Sequence, residues 1–393
     1  MMKKQYSHLV LFLSLCTLTA CNDSKNEDSI DPDPLPPSIT YHVEGYAELG
    51  AFDHNSTLTV FPLDKSLAHI EEQAYGGKVE TDYGLFSASG NMKFQESLYF
   101  EVQVTGNFFN GTKGRRSEHK TTLRAINHVI NHADEERSIN RYIKLPATNV
   151  NIFTQLTAAR ICTLLKKAAG YNEMSHTITD IYRNASEQAL KEVLTAFSIS
   201  DIYVSMLSID PTRASFSQYN APASMMAAVS NILLTSVDEE LLDTFFTEWD
   251  KDFAPDGRID NEDIKESIRD GQQSLKYTNV YKQLDSFYKA YDFKSDFPEF
   301  WKFVDRNGDG ILDKQDKPDD FEITEEELTP SKQQCIQLLE QVNKYLRDFL
   351  QTECVWEANF CGAIGPIPDY PTTLVPTDSE VYEIWTAAYA TIR

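Results

Sequence analysis

Hydrophobic and polar residues alternate along the first part of the chain, from Tyr41 to about Pro146. This period of two is typical of β-strands that bury one face. The alternation predicts five strands, at Tyr41–Ala47, Thr57–Leu63, Leu85–Ser89, Leu98–Gly106 and Thr121–Val129. Clusters of Asp, Asn and Gly separate these runs, and short strands divided by such turns predict a β-sandwich over residues 41–147.

After Asn149 the apolar positions recur every three to four residues, which is the spacing of one face of an α-helix. The first such stripe comprises Ile152, Leu156, Ala159, Cys162, Leu164 and Ala168. Further helices are predicted at 174–197, 222–236, 238–250, 261–275, 276–291, 331–351 and 378–392. The predicted fold class is therefore multidomain β + α, with the sandwich followed by an all-α domain over residues 148–393.

The first twenty residues have the pattern of a bacterial lipoprotein signal peptide. Lys3 and Lys4 provide a positive start, and the apolar run Leu9–Leu18 is too short to span a bilayer. Small residues follow, as the signal peptidase requires, and then Cys21, whose thiol is the group to be acylated. An ordinary signal peptide with a chance cysteine is the alternative.

Residues 21–40 are acidic and rich in proline, with little to bury, and predict an extended tether. Acidic residues directly after a lipidated cysteine resemble the surface-export signals of Bacteroidetes lipoproteins. This resemblance implies an outer-membrane lipoprotein that faces the cell exterior. A periplasm-facing anchor stays open as an alternative.

The overall charge limits the partners. At −24, it argues against nucleic-acid or anionic-lipid surfaces as ligands, since both require basic surface. It favours solubility and the binding of cations. The membrane partner is then reached through the lipid, and any further ligand is a protein or a glycan of unknown identity.

Four cysteines remain besides Cys16 in the signal peptide and the lipidated Cys21. An even number in an oxidising compartment permits two disulfides. Cys354 and Cys361 flank a short loop and form the first predicted pair, which leaves Cys162 and Cys335 to join two helices. A plain buried thiol at Cys162 is the alternative.

The sharpest chemical pattern is the acidic loop Asp305–Asp316. Calcium takes six to eight oxygen ligands, and a twelve-residue loop supplies them from positions 1, 3, 5, 7, 9 and 12. Here these positions are Asp305, Asn307, Asp309, the carbonyl of Ile311, Asp313 and Asp316. Gly310 stands where the turn needs glycine, and Leu312 is expected to pack on the core. An incoming helix is predicted from Phe297, Phe300, Trp301 and Val304.

The position-12 Asp and the early Pro318 make this loop resemble dockerin-type calcium loops more than paired EF-hands. The resemblance implies a structural calcium ion as the cofactor. A solvated acidic turn is the alternative.

A weaker copy of the same spacing occurs at Asp252–Asp263. Its candidate ligands are Asp252, Asp256, the carbonyl of Arg258, Asp260 and Asp263. Position 3 is Ala254, which has no side-chain oxygen. The competing interpretation is a turn between two helices, with Asp260 as N-cap of the second helix.

Catalytic motifs are not evident, and no catalytic residue is predicted. His128 and His132 bind zinc only if their segment is helical, and it is predicted to be a strand end running into a surface loop. The sequence contains no H-E-x-x-H, G-x-S-x-G or G-x-x-x-x-G-K-[ST] pattern.

Several segments resemble a family of uncharacterised bacterial surface lipoproteins that open with a sandwich similar to transthyretin and carboxypeptidase-regulatory domains. They are Gly45–Leu67, Thr81–Ser89, Gln103–Gly114 and, at the start of the helices, Asn149–Ile161. Glu383–Arg393 resembles an early helix of SusD-like nutrient-binding lipoproteins. These resemblances imply the sandwich-plus-helices fold and leave the activity open.

The sequence thus predicts a non-enzymatic, calcium-stabilised binding or scaffold lipoprotein. Two alternatives are an accessory protein of glycan or nutrient uptake and an extracytoplasmic hydrolase with an acidic site.

Overall fold

A computed structural model describes residues 40–91, 98–129, 142–172, 178–218, 220–291, 297–312 and 314–318. Within these ranges, no helix is long and apolar enough to cross a membrane.

Within the described residues, ten strands form the β part of the molecule. They are β1 Thr40–Glu48, β2 Thr57–Leu63, β3 Tyr75–Val79, β4 Leu85–Asn91, β5 Tyr99–Gly106, β6 Phe109–Asn110, β7 Arg115–Arg116, β8 Thr121–His128, β9 Tyr142–Lys144 and β10 Val150–Asn151. All five predicted strands are present. In β1 and β2 the alternating residues are buried, as the period of two requires.

Eight of the strands join in one mixed sheet, in the order β10-β1-β4-β3-β2-β5-β8, with β9 pairing parallel to β1. The pairs from β1 to β8 through β4, β3, β2 and β5 are antiparallel. The sheet curls, so that β10 at one end comes close to β8 at the other. The predicted β + α composition is confirmed. Eight of the described strands follow one curled path, and β6 and β7 pair separately as a two-stranded sheet, where a β-sandwich was predicted.

β3 was missed because its glycines were taken for a turn. Gly77 pairs with Leu58 of β2, and a Cβ at Gly77 would lie 3.0 Å from Ala88. The absence of a side chain here leaves room for the Ala88 side chain of the neighbouring strand β4.

Seven α-helices follow: α1 Ile152–Lys167, α2 Ile178–Ala196, α3 Ile202–Leu207, α4 Ala221–Ser236, α5 Leu242–Phe253, α6 Glu262–Ser274 and α7 Tyr277–Lys289. The helical spacing predicted all of them except α3. The start of α1 is set by a capping box, in which the Asn151 side chain accepts from the Thr154 N–H and Thr154 Oγ1 accepts from the Asn151 N–H.

Sheet and helices share one hydrophobic core. The largest buried cluster runs from Tyr41 of β1 to Val304, and includes side chains of α2, α4, α5, α6 and α7. A smaller cluster lies between α1, α2 and strands β2, β5 and β8. The predicted division at residue 147 falls between β9 and β10, and buried residues on both sides of it belong to the same cluster.

Candidate calcium-binding loop

The loop that begins at Asp305 is organised around two buried carboxylates. Asp305 is 3% exposed, and its oxygens accept from the Gly308 and Gly310 N–H groups, both at 2.9 Å. Gly308 and Gly310 have φ of +75° and +79°, in the left-handed region that favours glycine. The sequence pattern therefore placed glycine at a position where the chain needs it.

Asp316 closes the loop from its other end. It is 2% exposed, and one of its oxygens accepts from the Arg306 N–H at 2.8 Å and the Asn307 N–H at 3.2 Å. The first and last predicted ligands thus both point into the loop. Leu312 packs against the main core, as expected.

Asp309 lies at the exposed tip. Its carboxylate accepts from the Ile311 N–H at 2.8 Å and from the Asn307 side-chain amide at 3.0 Å. Asp313, another predicted ligand, lies outside the described residues. In the described part of the chain, no group of three or more His, Cys, Asp or Glu side chains is arranged to hold a metal ion. Calcium binding therefore stays a prediction.

The predicted incoming helix is wrong. Only a short 3₁₀ turn, Trp301–Phe303, precedes the loop. Pro298 cannot donate a backbone hydrogen bond, and the aromatic residues around it are used as core anchors. The Phe297 ring stacks on Tyr288 with centroids 5.4 Å apart, and the Phe300 ring lies 4.6 Å from Tyr277.

The second acidic loop is a junction between α5 and α6. Asp252 accepts from the Asp260 N–H at 2.8 Å and the Asn261 N–H at 3.1 Å. The N-cap of α6 is Asn261, whose side chain accepts from the Asp263 N–H, so the prediction of Asp260 as N-cap was wrong by one residue. Asp256 accepts from the Arg258 N–H at 3.0 Å.

A positive charge already lies against this second loop. Arg160 of α1 donates to the carbonyls of Ala254 at 3.1 Å and Pro255 at 2.9 Å. The same guanidinium binds Glu192 of α2 through two hydrogen bonds of 2.7 and 2.9 Å. The sequence pattern did not single out Arg160, although its spacing of four residues from Leu156 of the apolar stripe could have suggested burial.

The cysteine and lipidation predictions reach beyond the described residues. Cys162 is half-buried and forms no disulfide with another described residue. Burial raises the pKa of its thiol to about 11. Its predicted partner Cys335, the pair Cys354 and Cys361, and the lipidation site Cys21 all lie outside the described residues.

His128 is buried, and its predicted surface position was wrong. Its ring stacks on Tyr182 at 4.6 Å and hydrogen-bonds Thr179 Oγ1 at 3.1 Å. Desolvation lowers its pKa to about 4, so the ring is neutral at physiological pH. The end of β8 packs against α2, a contact that the local sequence does not reveal.

A charged network that the sequence pattern did not predict joins the sheet to α5. Glu101 of β5 is 3% exposed, and its carboxylate accepts from His69 Nε2 at 3.1 Å and from Gln103 Nε2 at 2.6 Å. Arg124 of β8 lies between Glu101, at 3.8 Å, and Asp250 of α5, at 2.5 Å. Burial raises the pKa of Asp250 to about 6. Burial also acts to raise the pKa of Glu101, but the hydrogen bond from His69 and the positive charge of Arg124 hold it below its usual value.

An open cavity of 480 Å³ lies between the end of α4 and α6. Three carboxylates line it, Asp263, Glu266 and Asp270, together with the hydroxyls of Thr235, Ser236, Ser267 and Ser274. The carboxylates are spaced by three and four residues along α6 and so form one wall. A glycosidase-type site needs two carboxylates on opposite sides of a substrate bond, an arrangement that these three do not make.

Comparisons with protein-family models, curated proteins and solved structures find no match to this chain.

Proposed function

We propose that this protein is an exported, lipid-anchored binding or scaffold protein, stabilised by a calcium ion in the loop Asp305–Asp316. The observation that carries the calcium part is the inward placement of Asp305 and Asp316, each at most 3% exposed. Burying two carboxylates in one small loop has a desolvation cost, which backbone N–H groups offset here. A divalent cation between them would add the attraction of opposite charges, and the left-handed glycines allow the loop to bend around it.

The role of the ion would be structural, since loop oxygens would fill its coordination shell. The ligand of the protein as a whole is a protein or a glycan, and a role as accessory protein in glycan uptake or as an extracytoplasmic hydrolase is the alternative. A hydrolase would require two carboxylates facing each other across a cleft.

Calcium should raise the free energy of unfolding. At millimolar calcium and a dissociation constant of ~10–100 µM, the gain is roughly 1–3 kcal/mol. Asp309→Ala should remove most of this gain, because it deletes a ligand at position 5. Asp256→Ala, at the same position of the second loop, is the matched control and should keep it. The measurement is calorimetric melting of each protein with calcium and with EDTA. Equal melting temperatures of the wild type in the two buffers would refute the calcium site.

Cys21→Ser should leave the exported protein unlipidated and soluble, because the thiol of Cys21 is the proposed acylation point. Cell fractionation and metabolic labelling with palmitate measure this, and Cys162→Ser serves as a control that should stay in the membrane fraction. Continued labelling of the Cys21→Ser protein would contradict the proposed anchor.

A further inference from the structure

The short helix α3 presents apolar side chains to solvent. Ile202 is 60% exposed, Met206 is 66% and Leu207 is 40%. Ile202 and Met206 are four residues apart and so lie on the same face of the helix. In α3, only Val204 is buried. Such a cluster on a surface marks a contact site more often than a chance exposure.

This apolar face lies close to where the described chain ends. Tyr203 of α3 packs edge-on against Phe303, with ring centroids 5.7 Å apart. Phe303 comes two residues before the acidic loop, and the described chain stops at Pro318 just after it. Residues 319–393 therefore continue from the neighbourhood of α3.

The continuing chain contains a segment with a matching apolar surface. In residues 331–351 the apolar positions recur every three to four residues, at Cys335, Leu338, Leu339, Val342, Tyr345, Leu346 and Phe349. Glu340, Lys344 and Arg347 fall on the opposite side at helical spacing. A stripe of this width requires a partner surface to be stable as a helix in water.

We propose that the apolar stripe of residues 331–351 packs on the exposed face of α3 formed by Ile202, Met206 and Leu207. The linker 319–330 has twelve residues and can extend to roughly 40 Å, which is ample for the chain to turn back from Pro318. The occupant is thus a segment of the same chain. This proposal is independent of the calcium ion.

A photo-crosslinking amino acid placed at Met206 of the full chain tests the contact. We expect crosslinks within the same chain to peptides of residues 331–351, at least fivefold more abundant than from the exposed control position Glu262 on α6. Mixing isotopically light and heavy protein separates crosslinks within one chain from those between copies. Crosslinks to a second copy, crosslinks to residues 378–392, or no crosslink would each overturn the proposal.

Hydrogen–deuterium exchange gives a second readout. Leu346→Asp should speed exchange of the α3 amides at least tenfold, whereas Gln337→Asp, with the same charge change on the polar side, should change it less than twofold. Unchanged α3 exchange in Leu346→Asp would overturn the proposal. If Leu346→Asp also speeds exchange of the β5 amides, the substitution has unfolded the sheet as well. The crosslink from Met206 in the otherwise unaltered chain then decides whether residues 331–351 contact α3.

Discussion

Glu48→Gln should make the protein more stable at alkaline pH and remove a large part of its pH dependence. Glu48 is fully buried at the end of β1, where it accepts from Ser215 Oγ and the Phe216 N–H, both at 3.1 Å. Burial raises the pKa of its carboxyl to about 8, so the side chain is largely protonated at neutral pH. Glutamine has the shape of the protonated acid and can bond the same two partners.

The sign follows from the raised pKa. In the unfolded chain the Glu48 carboxyl loses its proton near its ordinary pKa of 4.5. The contribution of Glu48 to the free energy of unfolding is therefore complete below that pH and is lost as pH rises toward 8. Over this window the wild type should lose roughly 4–5 kcal/mol relative to Glu48→Gln, at about 1.4 kcal/mol per pH unit.

Urea unfolding of both proteins between pH 5 and 8.5 measures this difference. Glu44→Gln is the control on the same strand, where the 43% exposed carboxylate pairs with Lys144. Its effect should stay below about 1 kcal/mol at every pH. Parallel pH curves for the wild type and Glu48→Gln would show that Glu48 is ionised in the folded protein.

Arg160→Met should cost about 3–5 kcal/mol of unfolding free energy. The Arg160 side chain is 6% exposed and bridges three segments: α1, Glu192 of α2, and the turn at Ala254 and Pro255. Removing the guanidinium leaves the Glu192 carboxylate without its two-point partner and two carbonyls without a donor. The cost of leaving a buried carboxylate unpaired exceeds the gain from burying the apolar methionine side chain.

Arg183→Met is the matched control, because Arg183 pairs with Asp180 at 2.7 Å but is 66% exposed. It should cost less than about 1 kcal/mol, since water screens an exposed pair. Urea titrations at one pH compare the two variants. Similar small losses of unfolding free energy in both variants would show that the second acidic loop does not depend on Arg160. That result would favour a bound cation in the loop Asp252–Asp263.

Local patterns were sufficient for most of the secondary structure. The period of two located β1, β2 and β4, which bury alternate residues, and also β5 and β8, which do so over part of their length. The spacing of three to four residues located six of the seven described helices, because a helix that buries one face repeats its apolar residues at that interval. α3 escaped because its exposed apolar residues produce no contrast between a buried and a solvated face.

For the candidate site, the sequence predicted the position of Gly310 and the core contact of Leu312, since both depend on a few neighbouring residues. It failed on the incoming helix, because Phe297 and Phe300 suit a helical stripe equally well but pack on Tyr288 and Tyr277 instead. Which partner an aromatic ring finds depends on distant segments.

The sequence alone therefore determined what short-range periodicity and spacing encode: strands, helices and the acidic loop. The export signal and the anchor cysteine stay predictions. Only the tertiary structure decided that eight of the described strands form one curled sheet, that Glu48 and His128 are buried, and that Arg160 connects α1, Glu192 and the second loop. These properties arise from contacts between residues far apart along the chain. A carboxylate or an imidazole has the same local pattern whether water or another segment covers it, so its burial and its pKa follow only from the packing.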